Sequence, residues 1–171
     1  MVVEIQKSAR KTLELIRKPT TMSMSVASEE QHVLVLIAME AEAAPLLAHL
    51  GLEKKDSKIP GHDTQMYSGS YKGMKISICT NGKCTKNSVD NVGTTPAAIS
   101  TFVALTELSP TIVINAGTAG GFKAKGACIG DTFVSEMFRH HDRRITIPGW
   151  DDYARGHHES HSCANLVQVS D

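Results

Sequence analysis

An α/β fold built on parallel strands follows from two similar stretches of this chain and from the helical spacing after the first of them. Val33-Leu34-Val35-Leu36-Ile37-Ala38 is an unbroken apolar run that leads into Met39-Glu40-Ala41-Glu42. Thr111-Ile112-Val113-Ile114-Asn115-Ala116 is a second run, and it empties into Gly117-Thr118-Ala119-Gly120-Gly121. Short apolar runs without alternation read as strands covered on both faces, which is the habit of parallel sheets. In open α/β sheets the C-terminal ends of such strands are where small ligands bind.

The elements follow in order. Residues 4–18 have helical potential, with Ile5, Leu13, Leu15 and Ile16 among five basic side chains, and Pro19 closes the segment. Residues 20–28 are a Ser/Thr/Met linker, so 1–31 is expected to be a flexible N-terminal extension. An amphipathic, Arg- and Ser-rich targeting peptide is the weaker alternative, opposed by Glu4 and Glu14. The folded part starts at His32. A helix is expected over 40–50, with Ala43, Leu46, Leu47 and Leu50 on one face, Pro45 tolerable if it falls in the first turn, and Gly51 as the stop. Residues 65–71 and 74–80 read as a hairpin around Lys72-Gly73, and 81–83 open a polar loop. Thr95-Pro96 reads as a cap and first-turn proline for a helix through Leu108. After the glycine turn come a loop with Gly126 and Gly130 and a strand over 131–135. The domain is expected to run over 32–153, followed by an irregular tail, 154–171.

Composition narrows the function. At 171 residues the chain is one domain with room for a core. Eighteen basic residues balance eighteen acidic ones, so no global field favours nucleic acid or an anionic membrane as partner. The longest apolar run is too short to span a bilayer, and no secretory signal pattern opens the sequence. Cys79, Cys84, Cys128 and Cys163 fit neither a zinc knuckle nor a secreted disulfide framework and read as reduced cytoplasmic thiols.

Four segments could carry chemistry. The turn 115–121 could bring backbone N–H groups close to a ligand, although many structural turns look the same. It is neither a dinucleotide fingerprint nor a P-loop. Glu42, at the opening of a helix just past a buried strand, could hold and polarise a water molecule. Glu40 is its competitor, and two residues apart on a helix only one can face the site. On the residues alone both read equally well as solvated helix charges. His140, His141 and Asp142 could bind a metal, as could His157, His158, Glu159, His161 and Cys163. Lacking a second half-site, the latter cluster reads as a polar tail. No metal or cofactor is expected.

Segments 37–42, 91–98 (Asn-Val-Gly-Thr-Thr-Pro-Ala-Ala), 114–131 and 141–148 (His-Asp-Arg-Arg-Ile-Thr-Ile-Pro), in that order, resemble one family. It is the plant-type 5′-methylthioadenosine/S-adenosylhomocysteine nucleosidases of the nucleoside phosphorylase superfamily. The resemblance implies a three-layer nucleoside-phosphorylase-like fold with a mixed central sheet, incomplete here at the C-terminus. It also implies hydrolysis of the N-glycosidic bond of 5′-methylthioadenosine, and of S-adenosylhomocysteine in some members, through an oxocarbenium-like transition state in methionine salvage. It makes Glu42 the residue that positions and deprotonates water, places Met39 at the ribose, and lines the pocket with Thr118, Ala119 and Gly120. Ile145 and Pro148 would reach the neighbouring subunit's alkylthio pocket, in a homodimer or in a pair with a full-length subunit.

Two family features are not in register: a Met-Glu segment for the ribose hydroxyls and a Ser-Asp pair that protonates the purine. Ser170-Asp171 comes too early to be that pair. The resemblance therefore implies weak or no activity for the 171 residues alone, and a tendency to aggregate. The alternatives are a non-catalytic member that works by association, or a phosphate-dependent phosphorylase with Lys83 as its basic group. The two strand ends should share one edge, with Thr118 within about 15 Å of Glu42, because neighbouring strands lie about 5 Å apart. Residues 118–120 should border the deepest pocket.

Overall fold

The computed structural model describes residues 31–135 and 145–150, and the backbone of 2–7, 137–139 and 157–159. Its strands are β1 (Val2–Lys7), β2 (His32–Ile37), β3 (Glu53–Lys55), β4 (Gln65–Tyr71), β5 (Met74–Thr80), β6 (Ile112–Gly117), β7 (Phe133–Val134), β8 (Met137–Arg139) and β9 (His157–Glu159). Helix α1 spans Glu40–Leu50 and α2 spans Thr94–Leu108. A single mixed sheet has the order β3-β4-β5-β2-β6-β1-β7, and β8 pairs with β9 in a separate ribbon.

β2 lies between β5 and β6 and is parallel to both. Its apolar run serves two faces at once. Leu34 joins Met66, Cys79, Val103 and Ala104 under α2, while Val35 and Ile37 join Ile78 and Ala43 under α1. The sheet with one helix on each face makes the three layers. Leu46, Leu47 and Leu50 pack against the second cluster at the helical spacing that the sequence shows. Leu34 and Ile78 are fully buried, and each contributes about 2 kcal/mol of hydrophobic transfer.

The start of β2 is clamped to the start of β6. The His32 N–H donates to Thr111 Oγ1 at 3.0 Å, and both the Thr111 N–H (2.9 Å) and its hydroxyl (3.1 Å) donate to the His32 carbonyl. This fixes the parallel register from Val33↔Ile112 to Leu36↔Asn115. Three residues further on, the same register brings Met39 level with Thr118.

Several boundaries differ from the sequence reading. Residues 4–7 belong to a strand that runs antiparallel to β6 and not to a helix. Pairing with β6 on one side and β7 on the other supplies backbone hydrogen bonds along Val2–Lys7, whereas an isolated short helix is marginal in water. Pro45 is the sixth residue of α1, beyond the first turn, where it forfeits the bond an N–H would make to residue 41. α2 is capped by Gly93, at φ 108°, and Thr95-Pro96 lies inside its first turn. The strand read over 131–135 contracts to Phe133–Val134. Residues 157–159 form a short strand where the side-chain pattern shows none, since backbone pairing with Met137–Arg139 needs no hydrophobic period.

Candidate functional site

The sharp end of β2 and the sharp end of β6 meet at one carboxylate. Glu42 is the third residue of α1, from which a glutamate reaches back over the first turn. Its Oε2 accepts from the Met39 N–H at 3.2 Å. Its Oε1 accepts twice from Thr118, from the N–H at 2.8 Å and from the hydroxyl at 2.6 Å. A carboxylate offers about four acceptor positions. Among the described residues three are filled, and the open one is on Oε2.

Burial raises the proton affinity of Glu42, but the Thr118 hydroxyl, the Thr118 amide and the Met39 amide outweigh it and hold the carboxyl below its ordinary value. The group is ionised at neutral pH and half-exposed, so a water molecule can reach it.

Glu40 turns the other way. Its carboxylate forms an ion pair with Lys83 Nζ, and its N–H donates to Asp90 Oδ1 at 3.2 Å. Lys83 holds the Glu40 carboxyl below its usual value, and Glu40 raises Lys83 in return. The two carboxylates thus point to different places: Glu42 faces the glycine turn, and Glu40 faces the loop after β5.

That loop is pinned at its base. Gly82 is buried with φ +72°, and a Cβ there would lie 1.8 Å from the Asp63 carbonyl oxygen. Asn81 Nδ2 donates to the Asn91 carbonyl at 2.9 Å, and Asn91 Nδ2 donates to Asp63 Oδ2 at 3.1 Å. Asp63 and Asp90 were not legible as contributors. The only available signal was an Asp-Asn pair directly before a helix start, and it has many other uses.

The structure brings Met39, Glu42 and Thr118 together by direct hydrogen bonds. Ala119 and Gly120 follow on an exposed rim, Ile145 is half-buried and Pro148 exposed. The expectation of a deep pocket bordered by 118–120 is corrected. A cavity of about 410 Å³ lies at the far end of the strands, with Glu53, Lys55, Ser68 and Lys75 in its walls. Another, of about 240 Å³, lies under α2, with Leu36, Cys79, Ser100, Leu105 and Asn115 in its walls. Residues 118–120 line neither, because they stand on an open rim.

Among the described residues no group of three or more His, Cys, Asp or Glu could hold a metal. Residues 140–142, and the side chains of the cluster at 157–163, lie outside the described residues. Among the described residues no helix is long and apolar enough to cross a membrane.

A parallel-centred sheet with a helix on each face, and a carboxylate and glycine turn on the C-terminal edge of neighbouring strands, defines an α/β protein of the edge-binding class. The chain belongs to the phosphorylase superfamily, whose family model matches residues 32–170. The match continues well past Tyr153, where the visible motif resemblance ends. The chain is 41% identical over 138 residues to a 5′-methylthioadenosine/S-adenosylhomocysteine nucleosidase of Arabidopsis thaliana, covering 80% of this chain and 54% of that one. It is 44% identical over 138 residues to a 5′-methylthioadenosine nucleosidase of the same plant, covering 80% and 52%. The chain thus spans about half the length of these curated relatives. The apo structure of Arabidopsis thaliana 5′-methylthioadenosine nucleosidase superposes with a TM-score of 0.74 at 41% identity, covering 80% of this chain and 57% of that one.

Proposed function

We propose that this chain supplies the water-activating half of a nucleosidase that hydrolyses the N-glycosidic bond of 5′-methylthioadenosine, giving adenine and methylthioribose. The observation that carries the reading is Glu42, ionised and tied to Thr118 and Met39, with one acceptor position of Oε2 open. A water bound there gives up a proton to Oε2 as its oxygen attacks the anomeric carbon, and the glycosidic electron pair leaves with the purine, which takes up a proton from solvent to become adenine. Met39 takes the ribose side, and Thr118, Ala119 and Gly120 line the purine and ribose side. The names of the relatives support the substrate, and S-adenosylhomocysteine is the second candidate.

The setting proposed is methionine salvage in the cytoplasm, as a homodimer in which Ile145 and Pro148 reach the neighbouring subunit's alkylthio pocket. Free thiols at Cys79, Cys84 and Cys128 suit a reducing compartment. The second reading, association without catalysis of its own, is favoured by the exposed Ile99, Phe102 and Leu105 on α2. A phosphorolytic reading is disfavoured, since Lys83 is engaged by Glu40.

Adenine release from 5′-methylthioadenosine, measured with and without phosphate, tests the proposal. Release independent of phosphate, abolished by Glu42→Gln and only mildly reduced by Glu40→Gln, is expected. Release unchanged by Glu42→Gln removes the water-activation role. Release seen only on mixing with a full-length family subunit supports the second reading.

A further inference from the structure

The first turn of α1 has two of its amides closed by carboxylates, and only one of these is its own. The Met39 N–H is taken by Glu42, three residues along. The Glu40 N–H is taken by Asp90, fifty residues away in sequence. We propose that Asp90 is a positioning residue for Glu42, holding the turn from which the open oxygen of that carboxylate is aimed.

Asp90 is suited to this because its own loop cannot drift. Residues 82–91 form a small closed loop, with Asn91 N–H donating to the Gly82 carbonyl and Cys84 N–H to the Val89 carbonyl, each at 2.9 Å. Lys83 and Asp90 face each other across it as an isolated antiparallel bridge. Its base is tied by Asn81, Asn91 and Asp63, and Gly82 is packed so closely on the Asp63 carbonyl that a side chain there would clash. Two groups project from this arm to the same residue of α1: the Asp90 carboxylate to the Glu40 amide, and the Lys83 ammonium to the Glu40 carboxylate.

The orphan amides of a first turn can be satisfied by any acceptor, including water. A fixed carboxylate does more than satisfy one. It sets the orientation of the Met39–Glu40 peptide, which adjoins the Ala38–Met39 peptide whose N–H is one of the three donors that orient Glu42. On the other side Thr118 supplies the remaining two. Glu42 is therefore held between two rigid frames, β6 on one side and the 82–91 loop on the other. Loss of the Asp90 contact leaves Glu42 hydrogen-bonded but loosens the first turn from which it is aimed. A misplacement of about 1 Å at a reacting group can cost up to about 100-fold in rate.

The test compares Asp90→Ala with Asp90→Asn. Both remove the negative charge, but only asparagine retains an oxygen that can accept from the Glu40 amide, so their difference isolates the hydrogen bond from the charge. The inference rests on the hydrolase reading for its kinetic arm, in which Asp90→Ala is expected to lower kcat for adenine release about tenfold below Asp90→Asn. KM should stay within about twofold, because substrate contacts are untouched. The second arm needs no turnover. The ¹³C-labelled carboxyl of Glu42 should titrate at higher pH in Asp90→Ala than in Asp90→Asn, as its hydrogen bonds loosen. Identical Glu42 titration and, where turnover is measurable, identical kcat in the two variants overturn the proposal, even if Asp90→Ala also melts earlier. Failure of Glu42→Gln to lower adenine release would instead defeat the hydrolase reading, leaving the titration arm to decide the role of Asp90.

Discussion

The two strand ends that meet at Glu42 are built to different standards. On the β2 side, the turn into α1 is gripped from three directions: by its own glutamate, by the 82–91 loop through Asp90 and Lys83, and by the apolar packing of Ala43, Leu46 and Leu47 beneath it. On the β6 side, Thr118 is tied to Glu42, but from there to Gly126 every residue is exposed. Gly120 has open space where a side chain would be. The difference teaches that the carboxylate side of the candidate site is held by several independent contacts, whereas the glycine-turn side is an open rim. The chain spans about half the length of the curated relatives it matches.

Glycine replacements give the largest expected contrast. Gly82→Ala places a Cβ against the Asp63 carbonyl in a left-handed backbone conformation, and should cost about 3 kcal/mol or more of stability. Gly120→Ala meets nothing and should stay within about 0.5 kcal/mol. Chemical denaturation of the two variants measures this directly. Similar losses in both would mean that the two regions are equally tight.

The two helix faces offer a second contrast. Leu34→Ala empties a fully buried position in the core under α2 and should cost about 3 kcal/mol. Phe102→Ala, on the outer face of the same helix and 66% exposed, should change the stability of the isolated chain by under about 0.5 kcal/mol. A large loss at Phe102 in a concentration-dependent melt would show that this face is covered by a second copy.

Cysteine reactivity follows the same division on a finer scale. Cys79 lies buried in β5 and burial pushes its thiol up to about 12, so it should resist alkylation in the native state. Cys128, exposed beyond the glycine turn, should react. Mass spectrometry after a brief iodoacetamide pulse reads both, and alkylation of native Cys79 would show that the core opens.

Much of the central architecture was legible because burial writes itself into sequence. The unbroken apolar run of β2 marks a strand covered on both faces, α1 carries the helical period and the hairpin turns at Lys72-Gly73, whereas β6, which reads as equally covered, has no fully buried residue. The choice of Glu42 over Glu40 was legible only through family resemblance, since the residues alone gave both the same reading. Asp90 stayed hidden because a single carboxylate that reaches across fifty residues leaves no periodic trace. The N-terminal strand misled for a related reason: its scattered apolar residues suit a helix and a strand alike, and pairing with β6 and β7 decides between them.

The central claim is that Glu42 is held ionised by Thr118 and Met39 with one oxygen position free. The pH dependence has a definite sign. The carboxyl sits below its ordinary value in the folded state, so the stabilisation is fully present above the unfolded-state value and is lost as pH falls through the folded one. The most direct measurement is the titration of the ¹³C-labelled Glu42 carboxyl in the unsubstituted chain and in Thr118→Val. The account predicts a midpoint below the ordinary carboxylate value in the first and a clear upward move in the second. A midpoint at the ordinary value, unmoved by Thr118→Val, would contradict it.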